Sequence, residues 1–248
     1  MCRLVTAIAL LSGYQYGGTF IAAVICQDGI VIAADSRTTF IDTNGRAFAY
    51  FDGLPKIYAE RGSAVAVTGL TSVDGELFGS FVDRNRFLLE RPVNEILFGF
   101  AVWLPFTNNN SVGLISAGFL DGKARICSKS PILPQTCSSS GFMSNKNSPA
   151  LRESLVKFGH IPTTAEAAAV LKAAIDDYSR TDTTVGGPIS VLKLTKDKAP
   201  EWLTSPLSAG GMTKICELVR EYRAGRRQIT PLVGPAEFDQ YLRGACPN

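Results

Sequence analysis

The amino-acid sequence predicts an α+β fold, a four-layer αββα sandwich of two antiparallel sheets flanked by helices. Three observations point there. Strand-like and helix-like segments come in blocks along the 248 residues, in the order strands, helices, strands, helices, strand. The strand blocks are short apolar runs separated by turn signals, as antiparallel pairing requires. Hydrophobic residues make up 46% and charged residues 19%, enough apolar material for a substantial core and too little charge for wholesale disorder. The length fits one domain, and no internal repeat or low-complexity linker divides it.

Residues 19–26 are rich in β-formers (Phe20, Ile21, Val24, Ile25), Gln27-Asp28-Gly29 supplies a turn, and 30–34 is a second apolar run ending at Asp35. Residues 45–55 read as loop or bulged strand. Residues 56–59 and 64–68 form another strand pair around Arg61-Gly62. From Ser72 the period changes: Leu77, Phe78, Phe81, Phe87 and Leu88 recur at helical spacing until Arg91-Pro92 stops them, and a second helix spans 93–104. Residues 112–119 and 123–127 make a hairpin across Asp121-Gly122. Helices follow at 149–158 and 164–178, the latter capped by Thr163 or Thr164. Gly186-Gly187 opens a strand at 189–194, and helices at 212–223 and 235–242 finish the chain.

Net charge is +3, and the densest basic cluster, Arg220, Arg223, Arg226 and Arg227, reads as the solvated face of one helix. Nucleic-acid binding is therefore not expected. No apolar run reaches the roughly 18 residues of a membrane span. Arg3 followed by apolar residues 4–11 resembles a short signal-peptide core, but the positive region is minimal and a propeptide removed by other means fits equally well. The six cysteines (Cys2, Cys26, Cys127, Cys137, Cys216, Cys246) lack CxxC spacing, so zinc is not expected. Cys127–Cys137 and Cys216–Cys246 would close local loops in an exported protein; six reduced thiols in a cytosolic one is the alternative.

The single histidine, His160, lies beside Pro162 ahead of a helix, which leaves a serine–histidine mechanism without a base. A threonine can supply nucleophile and base together when it begins the mature chain. Its α-amine, with a pKa of about 8 in solution, suits proton transfer near neutrality, and a nearby lysine would lower it further.

Gly18-Thr19-Phe20-Ile21-Ala22-Ala23-Val24, continuing through Asp28-Gly29-Ile30-Val31-Ile32-Ala33-Ala34-Asp35-Ser36-Arg37, resembles the start of a mature proteasome β subunit, a family of N-terminal nucleophile (Ntn) threonine hydrolases. The resemblance implies self-cleavage between Gly18 and Thr19, with Asp35 and Arg37 at the family's Asp and Arg positions. Pro55-Lys56-Ile57 resembles the segment of the catalytic lysine, after an insertion, and Val67-Thr68-Gly69 resembles the strand end whose glycine amide forms the oxyanion hole. Ser140-Gly141 resembles the family's serine–glycine step, with Ser139 in place of the usual glycine. Asp182 with Gly186-Gly187 resembles its Asp-x-x-Ser-Gly-Gly segment, with Val185 in the serine's place and Thr184 one residue earlier. The match covers about residues 18–195; the tail resembles nothing we can name.

The resemblance implies the Ntn-hydrolase fold, a leader over 1–18, the hydrolase domain over 19–195, and a C-terminal helical extension over 196–248 packed on it. Thr19 would attack, Lys56 and Asp35 tune the hydroxyl, Ser140 and Asp182 orient the amine, and Gly69 hold the oxyanion, with no metal or cofactor. A substrate strand would lie beside Thr39 and Gly69, with Arg37, Thr39 and Val67 on the substrate side and Val67 flooring an apolar pocket. The implied activity is cleavage of peptides or unfolded proteins by a homo-oligomeric ring, with an ATPase or α-type partner left open, in the cytoplasm unless the leader exports the chain. Two same-fold alternatives are an inactive structural subunit, since valine at 185 cannot hydrogen-bond, and an amidase acting on a small amide. Met1-Cys2-Arg3-Leu4 also superficially resembles class II glutamine amidotransferases, with Cys2 as nucleophile, but the Asp, Lys and Gly matches keep register with Thr19.

Overall fold

A computed structural model describes residues 15–42, 44–69, 72–73, 75–101, 113–131, 133–204 and 206–246. The chain runs β1 (Gln15–Gly17), β2 (Ile21–Cys26), β3 (Gly29–Ala34), β4 (Arg37–Ile41), β5 (Ala47–Asp52), β6 (Ile57–Glu60), β7 (Ser63–Thr68), β8 (Ser72–Val73) and β9 (Glu76–Leu77). Next come α1 (Phe78–Arg84), a 3-10 turn (Arg86–Glu90), α2 (Val93–Phe100), β10 (Gly113–Leu120), β11 (Lys123–Lys129), β12 (Thr136–Ser138) and β13 (Phe142–Ser144). The rest is α3 (Pro149–Lys157), α4 (Thr164–Ser179), β14 (Ser190–Leu194), β15 (Glu201–Trp202), α5 (Ile215–Arg223), β16 (Thr230–Pro231) and α6 (Pro235–Ala245).

Two antiparallel five-stranded sheets form the centre, in the orders β13-β2-β3-β14-β15 and β12-β11-β10-β7-β6. Strand alternation sorts the core. On β2, Ile21, Ala23 and Ile25 face the other sheet, meeting Ile57, Ala64, Ala66, Ile115 and Ala117. The intervening Ala22 and Val24 face outward onto Leu171 and Ile175 of α4 and Leu151 of α3. On the far side, Val65, Val67 and Leu114 pack under Phe78, Val82, Ile96 and Leu97 of α1 and α2. Both faces of β2, β3 and β7 are buried, which is why those strands read as unbroken apolar runs. The layers are thus α3/α4, sheet, sheet, α1/α2.

A third sheet, β1-β4-β5-β16, carries a separate cluster in which Phe40, Phe48 and Phe51 pack on Ile215, Leu218, Phe238 and Leu242 of α5 and α6. Of the two readings of residues 45–55, the bulged strand holds for 47–52, which form β5 and pair with β4 through a bulge at Phe40/Ile41. Helix α1 starts at Phe78 rather than Ser72, because Gly75, at φ +78°, first turns β8 back onto β9. Helix α2 is described as far as Phe100; residues 102–104 of the expected helix lie outside the described residues, as does the apolar run 4–11. Helix α4 is capped by Thr163, whose hydroxyl accepts from the Glu166 amide while the Glu166 carboxylate accepts from the Thr163 amide. Helix α5 begins three residues later than expected, after Gly210 and Gly211 at positive φ.

Among the described residues two disulfides form, Cys127–Cys137 across β11 and β12 and Cys216–Cys246 between α5 and the end of α6. Cys26 is free and buried, its thiol pushed up to about 12 mainly by desolvation, so it is not a reactive thiolate. Cys216–Cys246 spans 30 residues, and closing a loop of that size stabilises by about 3.6 kcal/mol. Replacing both cysteines by alanine should lower the denaturation midpoint accordingly, measured by urea unfolding. An unchanged midpoint would show that the core around Phe48 and Phe238 holds the extension unaided.

Candidate active site

The site forms where several strand ends converge. Thr19 precedes β2, Asp35 follows β3, Lys56 precedes β6, and Gly69 follows β7. Pairing of Ile21 with Ala34 brings Asp35 opposite Phe20, whose amide donates to Asp35 Oδ1 at 2.8 Å. Asp35 Oδ2 accepts from the amides of Gly186 (2.9 Å) and Arg37 (3.2 Å). Lys56 Nζ lies 3.4 Å from Asp35 Oδ1, 2.6 Å from Thr19 Oγ1 and 2.7 Å from the Gly18 carbonyl oxygen, and also donates to the Arg37 carbonyl. Thr19 Oγ1 in turn contacts the Gly18 carbonyl oxygen. Hydroxyl, ammonium and the carbonyl of the preceding peptide bond form one cluster, and Thr19, Asp35 and Lys56 are all buried.

Burial pushes Lys56 down from 10.5 to about 8, against the opposing pull of Asp35. It pushes Asp35 up as well, countered by Lys56 and the amides of Gly186, Phe20 and Arg37. Lysine near 8 sits within reach of neutrality as a proton acceptor.

Asp182 stands at the other flank. Its Oδ1 accepts from the Thr184 amide (2.9 Å) and hydroxyl (2.5 Å), and its Oδ2 pairs with Lys146 at 3.0 Å. Burial opposes ionisation there, but the hydrogen bonds from Thr184 and Lys146 outweigh it and hold the carboxyl below its usual range. Gly18, at φ +88°, lies against Thr184; an added Cβ would come 2.7 Å from Thr184 Cβ. Val185 points away into the core with Phe20 and Ile175, so Thr184 is the hydroxyl beside the junction.

Ser140 is not brought to Thr19. It is exposed beyond the Cys26 end of β2, because Gly141 bonds to Ile25 and β13 then runs back along β2 with Ser144 opposite Ala22. That register delivers Asn145 and Lys146 instead. Asn145 Nδ2 donates to the Thr19 carbonyl (2.8 Å), and its Oδ1 accepts from the Ile21 amide (2.7 Å). Neither residue was singled out in the sequence; the missing signal was β13, three residues long and without a readable period.

The residues expected on the substrate side divide. Thr39 lies in β4 directly opposite Gly17 of β1, so β1 of the same chain occupies the strand position expected for substrate. Gly69, at φ +80°, ends β7 near that groove. Arg37, however, is committed elsewhere: its guanidinium makes two bonds to Asp52 (2.8 and 2.9 Å), donates to the Thr183 carbonyl (3.1 Å) and stacks 3.8 Å above Tyr50. It ties the 182–187 loop to β5 rather than facing a substrate. Val67 is fully buried among Phe78, Val82 and Leu97. Among the described residues no cluster of His, Cys, Asp and Glu is arranged to hold a metal, and no helix is long and apolar enough to cross a membrane.

With this geometry in hand, comparison with known proteins gives one result at the level of fold. No family model matches the sequence, and no curated protein sequence matches it. Among solved structures, the chain is similar to the Gly-1 mutant of Anbu from Hyphomicrobium sp. strain MC1, with a TM-score of 0.55 and 16% identity over 76% of this chain and 89% of that one. The fold is accordingly the proteasome-like Ntn fold, and the likeness does not reach the β-subunit family in particular.

The contact at Gly18 yields a prediction. Gly18→Ala would require a left-handed backbone for alanine, unfavourable by about 1–2 kcal/mol, and a side chain driven into Thr184. Cleavage at this junction, followed by intact mass over time, should slow at least tenfold. Cleavage at the rate of the parent chain would mean that the junction cuts from another conformation.

Proposed function

We propose that the chain is a threonine-type peptidase that becomes active by cleaving itself between Gly18 and Thr19. The observation that carries this reading is the junction: one buried lysine touches both the Thr19 hydroxyl and the Gly18 carbonyl oxygen, with a buried carboxylate behind it. In the precursor the Thr19 nitrogen is tied up in the peptide bond, so neutral Lys56 is the group that takes the hydroxyl proton. Thr19 Oγ1 adds to the Gly18 carbonyl carbon, the C–N bond breaks as the nitrogen gains a proton, and an ester links Gly18 to the threonine side chain. Water hydrolyses that ester, freeing the leader's carboxylate and the α-amine. In later turnovers the amine accepts the hydroxyl proton. The Gly69 amide serves the oxyanion, a role worth about 3 kcal/mol, and Asn145 and the Asp182–Lys146 pair position the threonine.

The leader strand supports peptides over small amides as substrates, because β1 bonds along β4 as an extended chain and a substrate can add the same way. The full Thr19–Lys56–Asp35 cluster argues against an inactive shell subunit, and Val185, turned into the core, takes no part in the proton path. Exposed Phe87 and Phe98 on the α1/α2 layer fit contacts between copies in a ring. Light scattering should show an assembly; a monomer at working concentration would remove the ring from this reading.

Thr19→Ala and Lys56→Ala should each leave residues 1–18 attached and turn over no peptide, whereas Thr19→Ser should process and retain some activity. Only neutral Lys56 accepts the proton, and its neutral fraction grows as pH rises through about 8. Precursor cleavage should therefore climb about tenfold per pH unit below that value and level off above it. A folded Lys56→Ala chain that processes, or an active enzyme beginning at Met1 or Cys2, would refute the proposal.

A further inference from the structure

A cleft of about 1040 Å³ opens beside Asn145, whose side chain donates to the Thr19 carbonyl. Its walls come from the end of β7 (Thr68), the end of β11 (Lys129), the segment after β13 (Asn145, Lys146) and the start of α3 (Ser148, Arg152). The strand order fixes its side. The leader reaches Thr19 along β4, whereas Asn145 reaches it from β13, the neighbour of β2 on the opposite edge from β3. A peptide whose acyl half lies where β1 lies would present its leaving half toward this flank.

The charge on that flank has one sign. Lys129, Lys146 and Arg152 line the cleft, and no aspartate or glutamate does so among the described residues. Lys146 is matched by Asp182 behind it. Among the described residues Lys129 and Arg152 have no carboxylate within ion-pair distance, leaving two cations on a cleft whose other walls mix hydroxyl and amide groups with apolar side chains such as Leu133 and Phe142. Coulomb attraction in a partly enclosed cleft is stronger than on an open surface.

We propose that this cleft is a subsite for a carboxylate on the leaving-group side of the scissile amide, so that the enzyme prefers peptides that are acidic after the cut. The inference rests on Thr19 as the nucleophile and adds a substrate class to that reading. The carboxylate has two sources, an acidic side chain or the free C-terminus of a short peptide.

The test uses the processed full chain and peptides with one acyl half. Their leaving halves carry Glu, Gln or Lys, each as C-terminal acid and as amide. The Glu peptide should exceed the Lys peptide about tenfold in kcat/KM. The ratio should fall towards one in Lys129→Gln/Arg152→Gln, and in the parent enzyme as salt is raised. A ratio taken within each protein is unaffected by a general loss of activity, and the salt series needs no variant to fold. Preference that follows the Glu amide identifies the side chain as the source; preference for acid over amide termini identifies the C-terminus. A ratio near one in the parent, or one unchanged by both the double variant and salt, overturns the subsite while leaving the peptidase standing. Turnover of none of the peptides overturns the peptidase reading, and the subsite with it.

Discussion

The buried Lys56–Asp35 pair is the constraint around which the site is built. A lysine whose pKa falls from 10.5 to about 8 carries an ammonium that remains disfavoured by roughly 3 kcal/mol after Asp35 has offset part of the cost of burial. The sign follows from the folded value lying below the unfolded one: stability is diminished below about pH 8 and recovers as pH rises from there towards 10.5. A fold bears that burden only where the charge is matched, and here the matching groups are many. Asp35 faces the ammonium, and the carbonyls of Gly18 and Arg37 accept from it. Asp35 is in turn held by three backbone amides. Each of those amides belongs to a different stretch of chain, so fixing one carboxylate registers β2, β4 and the 182–187 loop against each other.

That registration explains the glycines near the site. Gly187, at φ +72°, lies against Ser36 and Asp52, where an added Cβ would come within 2.8 Å of the Asp52 side chain. Its neighbour Gly186 gives its amide to Asp35 and its carbonyl to the amides of Ser36 and Arg37. The close approach of the Arg37, Ser36 and Asp52 side chains, and the positive φ of Gly187, are what these positions require.

Most of the central fold was legible because its strands are apolar on both faces and bounded by clear turns. The contact of Thr19, Asp35 and Lys56 has a related reason: each sits at the end of such a strand, and the strand pairing brings those ends together. Ser140 was misplaced because sequence similarity could not reveal that β13 doubles back along β2; the pairing of Ser144 with Ala22 puts Asn145 and Lys146 at the junction. Arg37 was read as facing substrate because its partners are far away in sequence, at Asp52 and Thr183. The β4–β5 hairpin was obscured for the same reason, since its apolar face is covered by helices nearly two hundred residues later.

Those helices bear on the candidate site although none of its groups lies on them. The edge of β4 pairs with β1, and β4 is backed by β5 and by the packing of Phe40 and Phe48 on α5 and α6. Tyr241 of α6 stacks on Phe48 and donates to Asp42, whose carboxylate also accepts from the amides of Asn44 and Arg46 and so closes the β4–β5 turn. A strand edge binds an extended chain only if its amides and carbonyls stand in line. The C-terminal extension thus supplies, through the back of the hairpin, the order that the groove needs at its front.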